Sequence, residues 1–434
     1  MKKINIFLVI LLSLLMLTAC NSGGGLRPGE EKKEVMMVLE ADELDIYNRW
    51  KNEFEQQYAE EGYKIKFVVV AGGQVQGKQD NLIASGLPAD IVVGGDVHMA
   101  NQYRYLLDLS TFISEHNDEV DIDDFIPEII DELKMDNKIY YLPNFFNSSL
   151  LYYNIDLFDR YNAGVDENNK IDYPNDTWDY ETFLSTAKKL TIGSGNSYSQ
   201  WGSSSTIGWW GEWLIHVRQY GGEIFNNEGY VTLDTPEALN GFNQYLDKMR
   251  GNDKVSYITG ELELGGFVGG LTAMAYGGHM SDWVDFEKVT DLKWDVSLLP
   301  TVNGNRTGEF AVNGLGIHKD SRAKTASFAW IKFLTQKRTG EELFNHPYVS
   351  VRISEKNELL DIPFEERKTP KNLEAVYESI EYNKVLPSYR YFTYIVTRIV
   401  QTEVNKAVEG ILTPEQALLA ATTNSNKYIN ANYK

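Results

Sequence analysis

Apolar residues near the start of the chain alternate between continuous runs and a helical spacing. Residues 35–39 and 64–70 are runs rich in apolar and β-branched side chains, which are typical of strands. Between these runs, apolar side chains recur at every fourth position and so share one helical face: Ile46, Trp50, Phe54 and Tyr58. This order predicts a strand, a helix and a second, parallel strand.

The same alternation continues to about residue 96. Residues 82–87 predict a helix that ends at Gly86 and Pro88. Residues 89–93 are apolar apart from Asp90 and form a run of the kind buried in parallel sheets. Ligands of open α/β sheets bind beyond the carboxyl ends of the strands. The loops at 40–43, 72–76 and 94–96 should therefore share one edge, with Asp42, Gln74 and Asp96 as candidate ligand contacts.

Strand and helix patterns keep alternating in the later part of the chain. Residues 138–154 contain two strand-like runs that are interrupted by the polar residues 147–149. The spacing after Pro174 predicts a helix that is entered through Thr177, with acidic residues in its first turn. Further helices are predicted at 239–249, 327–334 and 394–408, and the acidic segment 115–124 is interpreted as a solvated loop. The pattern as a whole predicts an α/β fold.

The amino terminus carries the only long apolar run, at residues 4–17, directly after Lys2 and Lys3. At about 14 residues the run is too short for a permanent membrane-spanning helix, and it is typical of a secretory signal. Cys20, the single cysteine, follows it in a setting that resembles the lipobox of bacterial lipoproteins. We expect a signal peptide at 1–19, acylation of Cys20 and a tether at 20–33; a buried free thiol is the alternative.

Length and charge narrow the class of protein. A chain of 434 residues favours two domains of roughly 200 residues each over a single core. The net charge of −21 repels phosphate backbones and anionic membrane surfaces. Nucleic acid is therefore not an expected partner, and the lipid anchor is the only expected membrane contact.

Nucleotide and metal sites find little support in the sequence. Residues 72–78 read GGQVQGK, but Gln79 stands where a phosphate-binding loop needs a Ser or Thr for Mg²⁺, so a Gly-rich turn is the simpler interpretation. The six histidines lack a metal-binding spacing. Residues 166–172 resemble a Ca²⁺ loop only at alternate polar positions, with Lys170 where a ligand should stand. We expect no cofactor and no metal, with a structural Ca²⁺ at 166–172 left open.

Four tryptophans fall within thirteen residues and are too many for one helix face, so some of them should be exposed or line a cavity: Trp201, Trp209, Trp210 and Trp213. Aromatic rings stack on the apolar face of a pyranose, while polar side chains satisfy its hydroxyl groups. The cluster favours a sugar-binding site. Packing within a core is the alternative for each of the four.

The order of several segments resembles the extracellular solute-binding proteins of ABC importers, above all the sugar-binding branch that includes maltose-binding protein: PADIVV, LDLSTFI, KIYYLP with LLYYNIDLF, TWDYETFLSTAKKLT, GGLTAMAYGG, DVSLLPTVNG and FAVNGLGIHKDS. The resemblance implies a two-lobed, class II-like fold with a hinged central cleft. Three chain crossings would fall near Asn147, Thr301 and Thr335. Lobe one would comprise 34–147 and 301–335, and lobe two 148–300 and 336–434.

The resemblance also indicates which residues contact the ligand. In the family, contacts lie just before the helix that leads to a Gly-Gly pair, here 221–222, and Trp209, Trp210 and Trp213 occupy that segment. Met280 stands where members often carry a stacking tryptophan. Residues near Met280, on the strand that re-enters lobe one, at the first crossing and before the last long helix complete the candidates: Tyr276, His279, Asp282, Trp283, Glu309, Asn313, Asn147, Tyr389 and Arg390.

Taken together, the resemblance implies a lipid-anchored, extracytoplasmic and monomeric receptor that binds a carbohydrate without catalysis. Its other partners would be the transmembrane permease subunits of an ABC importer. The alternative is a secreted glycoside hydrolase that acts through paired carboxylates in the cleft, since the 62 acidic residues leave room for such a pair.

Overall fold

The computed structural model describes residues 30–194, 197–207, 209–250, 254–259, 265–278, 280, 283–286 and 289–434. The signal peptide at 1–19, the lipidation site Cys20 and most of the tether lie outside the described residues. So do the candidate ligand residues His279 and Asp282. These expectations therefore stay predictions.

The strands follow one another closely in the first half and again around the aromatic-rich segments. In chain order they are β1 Glu34–Glu40, β2 Lys64–Val70, β3 Ile91–Gly95, β4 Lys134–Met135, β5 Lys138–Ile139, β6 Leu142–Ser148, β7 Leu150–Asn154, β8 Ile192–Ser194, β9 Ser197–Gln200, β10 Ser203–Thr206, β11 Ser256–Thr259, β12 Met274–Gly278, β13 Trp294–Ser297 and β14 Phe310–Ile317.

Helices lie between these strands and make up most of the last third of the chain. They are α1 Leu44–Gln57, α2 Val75–Ala84, α3 Met99–Gln102, α4 Ser110–Glu115, α5 Asn117–Val120, α6 Pro127–Asp131, α7 Ile155–Ala163, α8 Tyr180–Leu190, α9 Trp210–Gln219, α10 Pro236–Asp247, α11 Gly265–Val268, α12 Trp283–Phe286, α13 Lys324–Leu334, α14 Gly340–Phe344, α15 Ile353–Asp361, α16 Leu373–Tyr382, α17 Phe392–Tyr394, α18 Gln401–Val408 and α19 Pro414–Asn432.

The chain divides into two compact units, Met1–Ile91 with Asp320–Trp330 and Val92–Lys319 with Ile331–Lys434. In the first unit, β1 and β2 pair in parallel and α1 joins them, which confirms the predicted order of elements. Asp90 ties this unit together, because its carboxylate accepts hydrogen bonds from Met36 N at 2.9 Å and from Ser321 Oγ at 2.7 Å. The lobe boundaries implied by the family resemblance stay a prediction.

Two sheets organise the second unit. The larger has the strand order β11-β10-β12-β7-β13, and the smaller has the order β3-β14-β6. The chain passes from the smaller sheet to the larger at Ser149, which lies between β6 and β7. Ser149 is held to Glu309 by two hydrogen bonds, from Ser149 N to the Glu309 carbonyl at 2.9 Å and from Glu309 N to Ser149 Oγ at 3.0 Å.

Two apolar clusters of described residues contribute to the core of the second unit. One gathers α9, α10 and the carboxyl-terminal helices around residues such as Trp213, Phe242 and Val396. The other lies between β7, β12 and α8 and contains Phe183 and Tyr276. Helix α9 contributes to both, because Trp213 enters the first cluster and Ile215 the second.

Three local predictions are corrected by the structure. Helix α8 begins after Asp179, whose Oδ1 accepts from Thr182 N at 2.8 Å, whereas the predicted entry residue Thr177 donates its hydroxyl to Asn175. The acidic segment 115–124, predicted as a solvated loop, is largely exposed but contains the short helix α5. The predicted helix 394–408 is divided by a π-helical segment at Ile395–Val400.

Candidate functional site

The aromatic segment before α9 folds back on the helix that follows it. A Cβ atom on Gly211 would lie 2.1 Å from Cζ2 of Trp209, so the indole of Trp209 packs directly against the first turn and requires glycine there. Trp209 and Trp210 are both half-buried, and their ring centroids are 5.9 Å apart. Each can therefore offer part of its ring to a ligand.

A buried ion pair anchors this segment. The Glu212 carboxylate accepts hydrogen bonds from the backbone N–H of Thr206 and from Lys248 Nζ, and Glu212 and Lys248 are almost completely buried. Burial raises the pKa of Glu212 and lowers the pKa of Lys248, while the attraction between the two charges opposes both shifts. Burial also lowers the pKa of His216, one turn further along α9, well below its usual range. This interior is therefore structural rather than open to solvent.

Trp213 and Trp201 differ from the other two tryptophans. Trp213 is completely buried, and its Nε1 donates to Gln401 Oε1 at 3.1 Å. Gln401 in turn donates from Nε2 to the Ile207 carbonyl at 3.0 Å, which helps to fix the segment that carries Trp209. Trp201 is 8% exposed and stacks on Tyr198 with a centroid distance of 3.9 Å. The structure thus places Trp213 in the core and leaves Trp209 and Trp210 at a surface.

The segment before α17 lies beside these tryptophans. Phe392 contacts Trp210 edge to face at 5.8 Å, and it also packs against Phe225 at 6.0 Å. Tyr389 is half-buried, packs against Phe225 at 5.3 Å and donates its hydroxyl to the Asn226 carbonyl at 3.3 Å. The structure therefore joins the predicted contacts Trp209, Trp210 and Tyr389 into one aromatic region.

Hydrogen bonds between side chains and backbone groups connect this aromatic region to the segment that follows β3. Ser388 Oγ accepts from Ala100 N at 2.9 Å and donates to the Val97 carbonyl at 3.3 Å. Asn101 Nδ2 donates to the carbonyl of Arg390 at 3.3 Å, and the side chain of Arg390 is exposed. Sequence reasoning missed Ser388 and Asn101, because nothing local in the sequence marks a contact between segments almost 290 residues apart.

Asp96 directly follows β3 and is 4% exposed. Its Oδ1 accepts from Val312 N on β14 at 3.3 Å, and among the described residues its buried Oδ2 has no hydrogen-bond partner. Burial, with smaller contributions from the carboxylates of Glu132 and Glu309, raises the pKa of Asp96 to about 8. The side chain therefore carries a proton at neutral pH and can donate a hydrogen bond.

Polar candidates on the smaller sheet lie close to Asp96. A Cβ atom on Gly95 would lie 2.0 Å from the Val312 carbonyl oxygen, which shows how closely this turn approaches β14. Asn313 is the half-buried neighbour of Val312, and Glu309 immediately precedes β14. Asn147 on β6 is paired with Ala311 in the same ladder. The structure thus groups Asp96, Asn147, Glu309 and Asn313 around one end of this sheet.

The remaining candidates lie elsewhere. Tyr276 is 3% exposed, stacks on His216 at 4.8 Å and donates its hydroxyl to Gln219 Oε1 at 2.8 Å. Trp283 is 8% exposed and donates from Nε1 to the Tyr152 hydroxyl at 2.8 Å. Both are satisfied inside the core of the second unit, so neither is exposed to a ligand here.

Asp42 and Gln74 belong to the first unit, and both side chains are exposed. Glu40 Oε1 accepts from Gly73 N at 2.7 Å, so the loops at 40–43 and 72–76 share one edge as predicted. Burial, opposed by this hydrogen bond and reinforced by Asp42, raises the pKa of Glu40. The Gly-rich stretch 72–74 is a turn between β2 and α2, which fits the simpler interpretation of its sequence.

The described residues contain neither a metal-binding cluster nor a helix suited to crossing a membrane. Within residues 30–434, apart from the gaps named above, no group of three or more His, Cys, Asp or Glu side chains is arranged to hold a metal ion. In the same residues, no helix combines the length and the apolar character that a membrane crossing requires.

Comparison with known proteins places this geometry in context. Residues 40–341 match the family model described as bacterial extracellular solute-binding protein. A similar structure is an ABC substrate-binding protein from Listeria monocytogenes in complex with cycloalternan, at 25% identity and a TM-score of 0.76, covering 92% of this chain and 100% of that one. The maltose-bound MalE3 of T. maritima gives 20% identity and a TM-score of 0.70, covering 91% and 99%.

Alignments with curated relatives cover a smaller part of the chain than the structural comparisons do. A protein from Brucella abortus (strain 2308), named only as a binding protein, is 26% identical over 286 residues, which is 64% of this chain and 65% of the relative. A protein from Brucella suis biovar 1 gives the same values. The chain thus matches slightly less than two thirds of these relatives' length. The structural similarity, in contrast, extends over nearly the whole chain and shows the two-lobed substrate-binding protein fold.

Proposed function

Because the chain belongs to the family of bacterial extracellular solute-binding proteins, we propose that it captures a carbohydrate outside the cytoplasm and delivers it to the permease of an ABC importer. It acts as a monomer and leaves its ligand chemically unchanged. The partial exposure of Trp209 and Trp210 beside Tyr389 is the observation that carries the proposal.

Ring stacking and hydroxyl recognition would come from different parts of the second unit. Trp209, Trp210 and Tyr389 offer ring faces on which a pyranose can stack. Protonated Asp96 can donate to a ring or hydroxyl oxygen, provided that its buried Oδ2 is uncovered, and Asn313 can both donate and accept. Two solved relatives carry cycloalternan and maltose, which supports a saccharide as the ligand class.

Capture would proceed by lobe closure. In this proposal the ligand bridges lobe one (34–147 and 301–335), which supplies Asp42 and Gln74, and lobe two (148–300 and 336–434), which supplies the aromatic contacts. Its differential affinity for the closed form shifts an existing equilibrium. A saturating saccharide should therefore reduce the radius of gyration in solution scattering, and an unchanged radius would contradict closure.

The protein would bind its saccharide without cleaving it. A glycoside hydrolase needs two carboxyl groups that face each other across the sugar, one of them protonated. Asp96 meets the protonation requirement, but its carboxyl group is buried. Prolonged incubation with the tightest-binding oligosaccharide should leave it intact, and the release of many equivalents of shorter product would favour the hydrolase.

Attachment to the membrane would rest on Cys20. The preceding apolar run and the single cysteine support export and acylation of that thiol. A full-length Cys20→Ser variant, expressed in a bacterium with its own signal, should move from the membrane fraction to the soluble extracytoplasmic fraction. Retention of the variant on membranes at the wild-type level would contradict lipid anchoring.

The ligand class is tested by thermal shift with a defined panel: tagatose, ribitol, maltose, mannotriose, maltotetraose and cycloalternan. A ligand that binds only the folded state raises the Tm by mass action. At least one saccharide should raise the Tm, and calorimetry should then give its affinity. A panel in which every compound leaves the Tm unchanged and shows no heat of binding would contradict the proposed function.

A further inference from the structure

A second group of aromatic rings lies next to Tyr389 and joins the segment around α17 to the end of α19. Tyr389 stacks on Tyr391 at 5.3 Å with nearly parallel planes, and Tyr391 contacts Tyr433 edge to face at 5.1 Å. Tyr433 lies 6.2 Å from Tyr428, and Tyr428 stacks on Tyr394 at 4.5 Å. Rings therefore continue without interruption from Tyr389 to Tyr394.

The outer members of this group are open to solvent. Tyr394 is 46% exposed and Tyr433 is 44% exposed, and Tyr428 between them is half-buried. We call these three residues the tyrosine surface. Tyr394 and Tyr433 are the two most exposed tyrosines among the described residues, and a third tyrosine ring lies between them.

Packing of the last helix does not require this exposure. Tyr391 is 7% exposed and donates its hydroxyl to the Gly229 carbonyl at 2.7 Å, and α19 buries Ile429 against the core. These buried side chains already hold α19 in place. The exposed ring faces of Tyr394 and Tyr433 contribute less to packing than Tyr391 does.

The surroundings of the tyrosine surface suit a hydroxylated ligand better than an apolar one. Tyr230 donates to Asn430 Oδ1 at 2.9 Å, and Lys434 Nζ lies 3.9 Å from the Tyr230 ring centroid. Asn432 donates to the Tyr428 carbonyl at 2.8 Å. Flat rings bordered by amides, hydroxyls and a cation offer stacking together with hydrogen bonds, which is the combination that a saccharide uses.

We propose that the tyrosine surface is a second saccharide-stacking site, continuous with Tyr389, and that the ligand is an oligosaccharide of three or more rings. One part of the ligand stacks at Trp209, Trp210 and Tyr389, and a further ring stacks at Tyr394 or Tyr433. This inference rests on the proposed function, because it assumes that the first of these sites binds a sugar.

The test compares the full-length Tyr394→Ala/Tyr433→Ala variant with wild type against tagatose, maltose, mannotriose and maltotetraose by calorimetry. Loss of a stacking residue at a binding site typically costs enough to weaken affinity by about tenfold. The affinity for the three-ring and four-ring compounds that bind should fall by at least about tenfold. The affinity for tagatose or maltose should stay within about twofold of wild type.

Two sets of variants control for structure. Tyr382 is 40% exposed and lies under Arg306, with 5.3 Å between the ring centroid and the guanidinium. Tyr382→Ala therefore removes a similarly exposed ring that belongs to neither proposed stacking site, and it should leave every affinity unchanged. The Tyr394→Phe/Tyr433→Phe variant keeps both rings and should bind the long compounds as wild type does. If the double alanine variant has a much lower Tm than wild type, the single variants Tyr394→Ala and Tyr433→Ala replace it in the calorimetric test.

A direct readout does not depend on alanine variants. In the full chain labelled with 3-fluorotyrosine, the single variants Tyr394→Phe and Tyr433→Phe assign the ¹⁹F resonances of Tyr394 and Tyr433. Both resonances should shift on addition of a bound three-ring or four-ring compound. Resonances that stay in place, or alanine variants that bind long compounds normally, would overturn the inference while leaving sugar binding intact. So would a wild type that binds only tagatose or maltose. If no compound binds wild type, the proposed function itself fails.

Discussion

Trp213 and the pair Trp209 and Trp210 stand within five residues of one another, yet they occupy opposite environments. Trp213 is fully buried with its indole N–H paired to Gln401, whereas Trp209 and Trp210 are half-buried. The difference follows from the start of α9 at Trp210. Trp213 lies on the face that enters the core, while Trp209 precedes the helix and folds back over Gly211. Neighbours in sequence therefore separate into structural and accessible roles.

The core also stabilises the accessible pair. Glu212 lies between the two kinds of tryptophan and holds the backbone of Thr206, where the segment leading to Trp209 begins. Gln401 holds the Ile207 carbonyl while it accepts the Trp213 indole N–H. Changes in the core should therefore lower stability strongly, and changes at the surface should lower affinity without unfolding the protein.

The largest effect is expected for Trp213→Ala. Truncation of this large, fully buried side chain removes its apolar contacts and leaves a cavity. It also leaves Gln401 Oε1 without the indole N–H that donates to it. The free energy of unfolding should fall by about 3–5 kcal/mol in denaturant titrations. Trp213→Phe, which keeps much of the volume, should cost clearly less. A Trp213→Ala variant of wild-type stability would contradict its assignment to the core.

A similar but somewhat smaller loss is expected for Lys248→Met. It leaves the Glu212 carboxylate buried without its cation, and breaking a buried pair typically costs about 3–5 kcal/mol. The hydrogen bond from Thr206 N remains, which favours the lower end of that range. Pairing the change with Glu212→Gln should restore part of the stability measured by denaturation. If the double variant is no more stable than the single one, the ion pair does not anchor the segment as we describe.

Asp96 does not fit the division between buried structural residues and accessible binding residues. It belongs to the candidate site, yet it is only 4% exposed. Its folded pKa of about 8 lies above the value of about 3.9 for an unfolded chain. Between those two values the folded state holds a proton that the unfolded state has lost. This group therefore lowers stability as pH rises, by at most about 1.4 kcal/mol per pH unit, and its effect levels off above pH 8.

Asp96→Asn should remove that dependence, since the amide stays neutral at every pH. The stability difference between Asp96→Asn and wild type, measured by urea titration at pH 6 and pH 7, should increase by about 1 kcal/mol in favour of the variant. A pH-independent difference for Asp96→Asn would mean that this carboxyl group is ionised in the folded protein.

Much of the fold could be predicted because local patterns determine it. The runs at 35–39 and 64–70 became β1 and β2. The predicted interruption at 147–149 is shorter in the structure, because Asn147 and Ser148 belong to β6 and only Ser149 separates β6 from β7. Capping was harder to predict, since Thr177 and Asp179 are both good candidates for the start of α8 and only the hydrogen bond to Thr182 distinguishes them. The π-helical segment at Ile395–Val400 has no local signature either.

The candidate site was less predictable, because its parts come from distant segments. The Trp cluster was visible in the sequence, but the division between Trp209 and Trp213 depends on where α9 begins. Residue types alone did not distinguish Tyr389, which lies beside the tryptophan region, from Tyr276, which is buried against His216. Tyr428 on α19 and Tyr433 directly after it gave no signal in the sequence, since their contacts to Tyr394 and Tyr391 are long-range.

Calorimetry of Trp209→Ala with the tightest-binding saccharide of the panel tests the central claim most directly. If Trp209 stacks on the sugar, the variant should lose about 1–3 kcal/mol of binding free energy while its Tm stays close to that of wild type. As a control, Trp213→Phe should bind the saccharide with wild-type affinity and have a lower Tm than wild type. If Trp209→Ala binds the saccharide with wild-type affinity, whether or not its Tm is lowered, the assignment of this surface to sugar binding is contradicted.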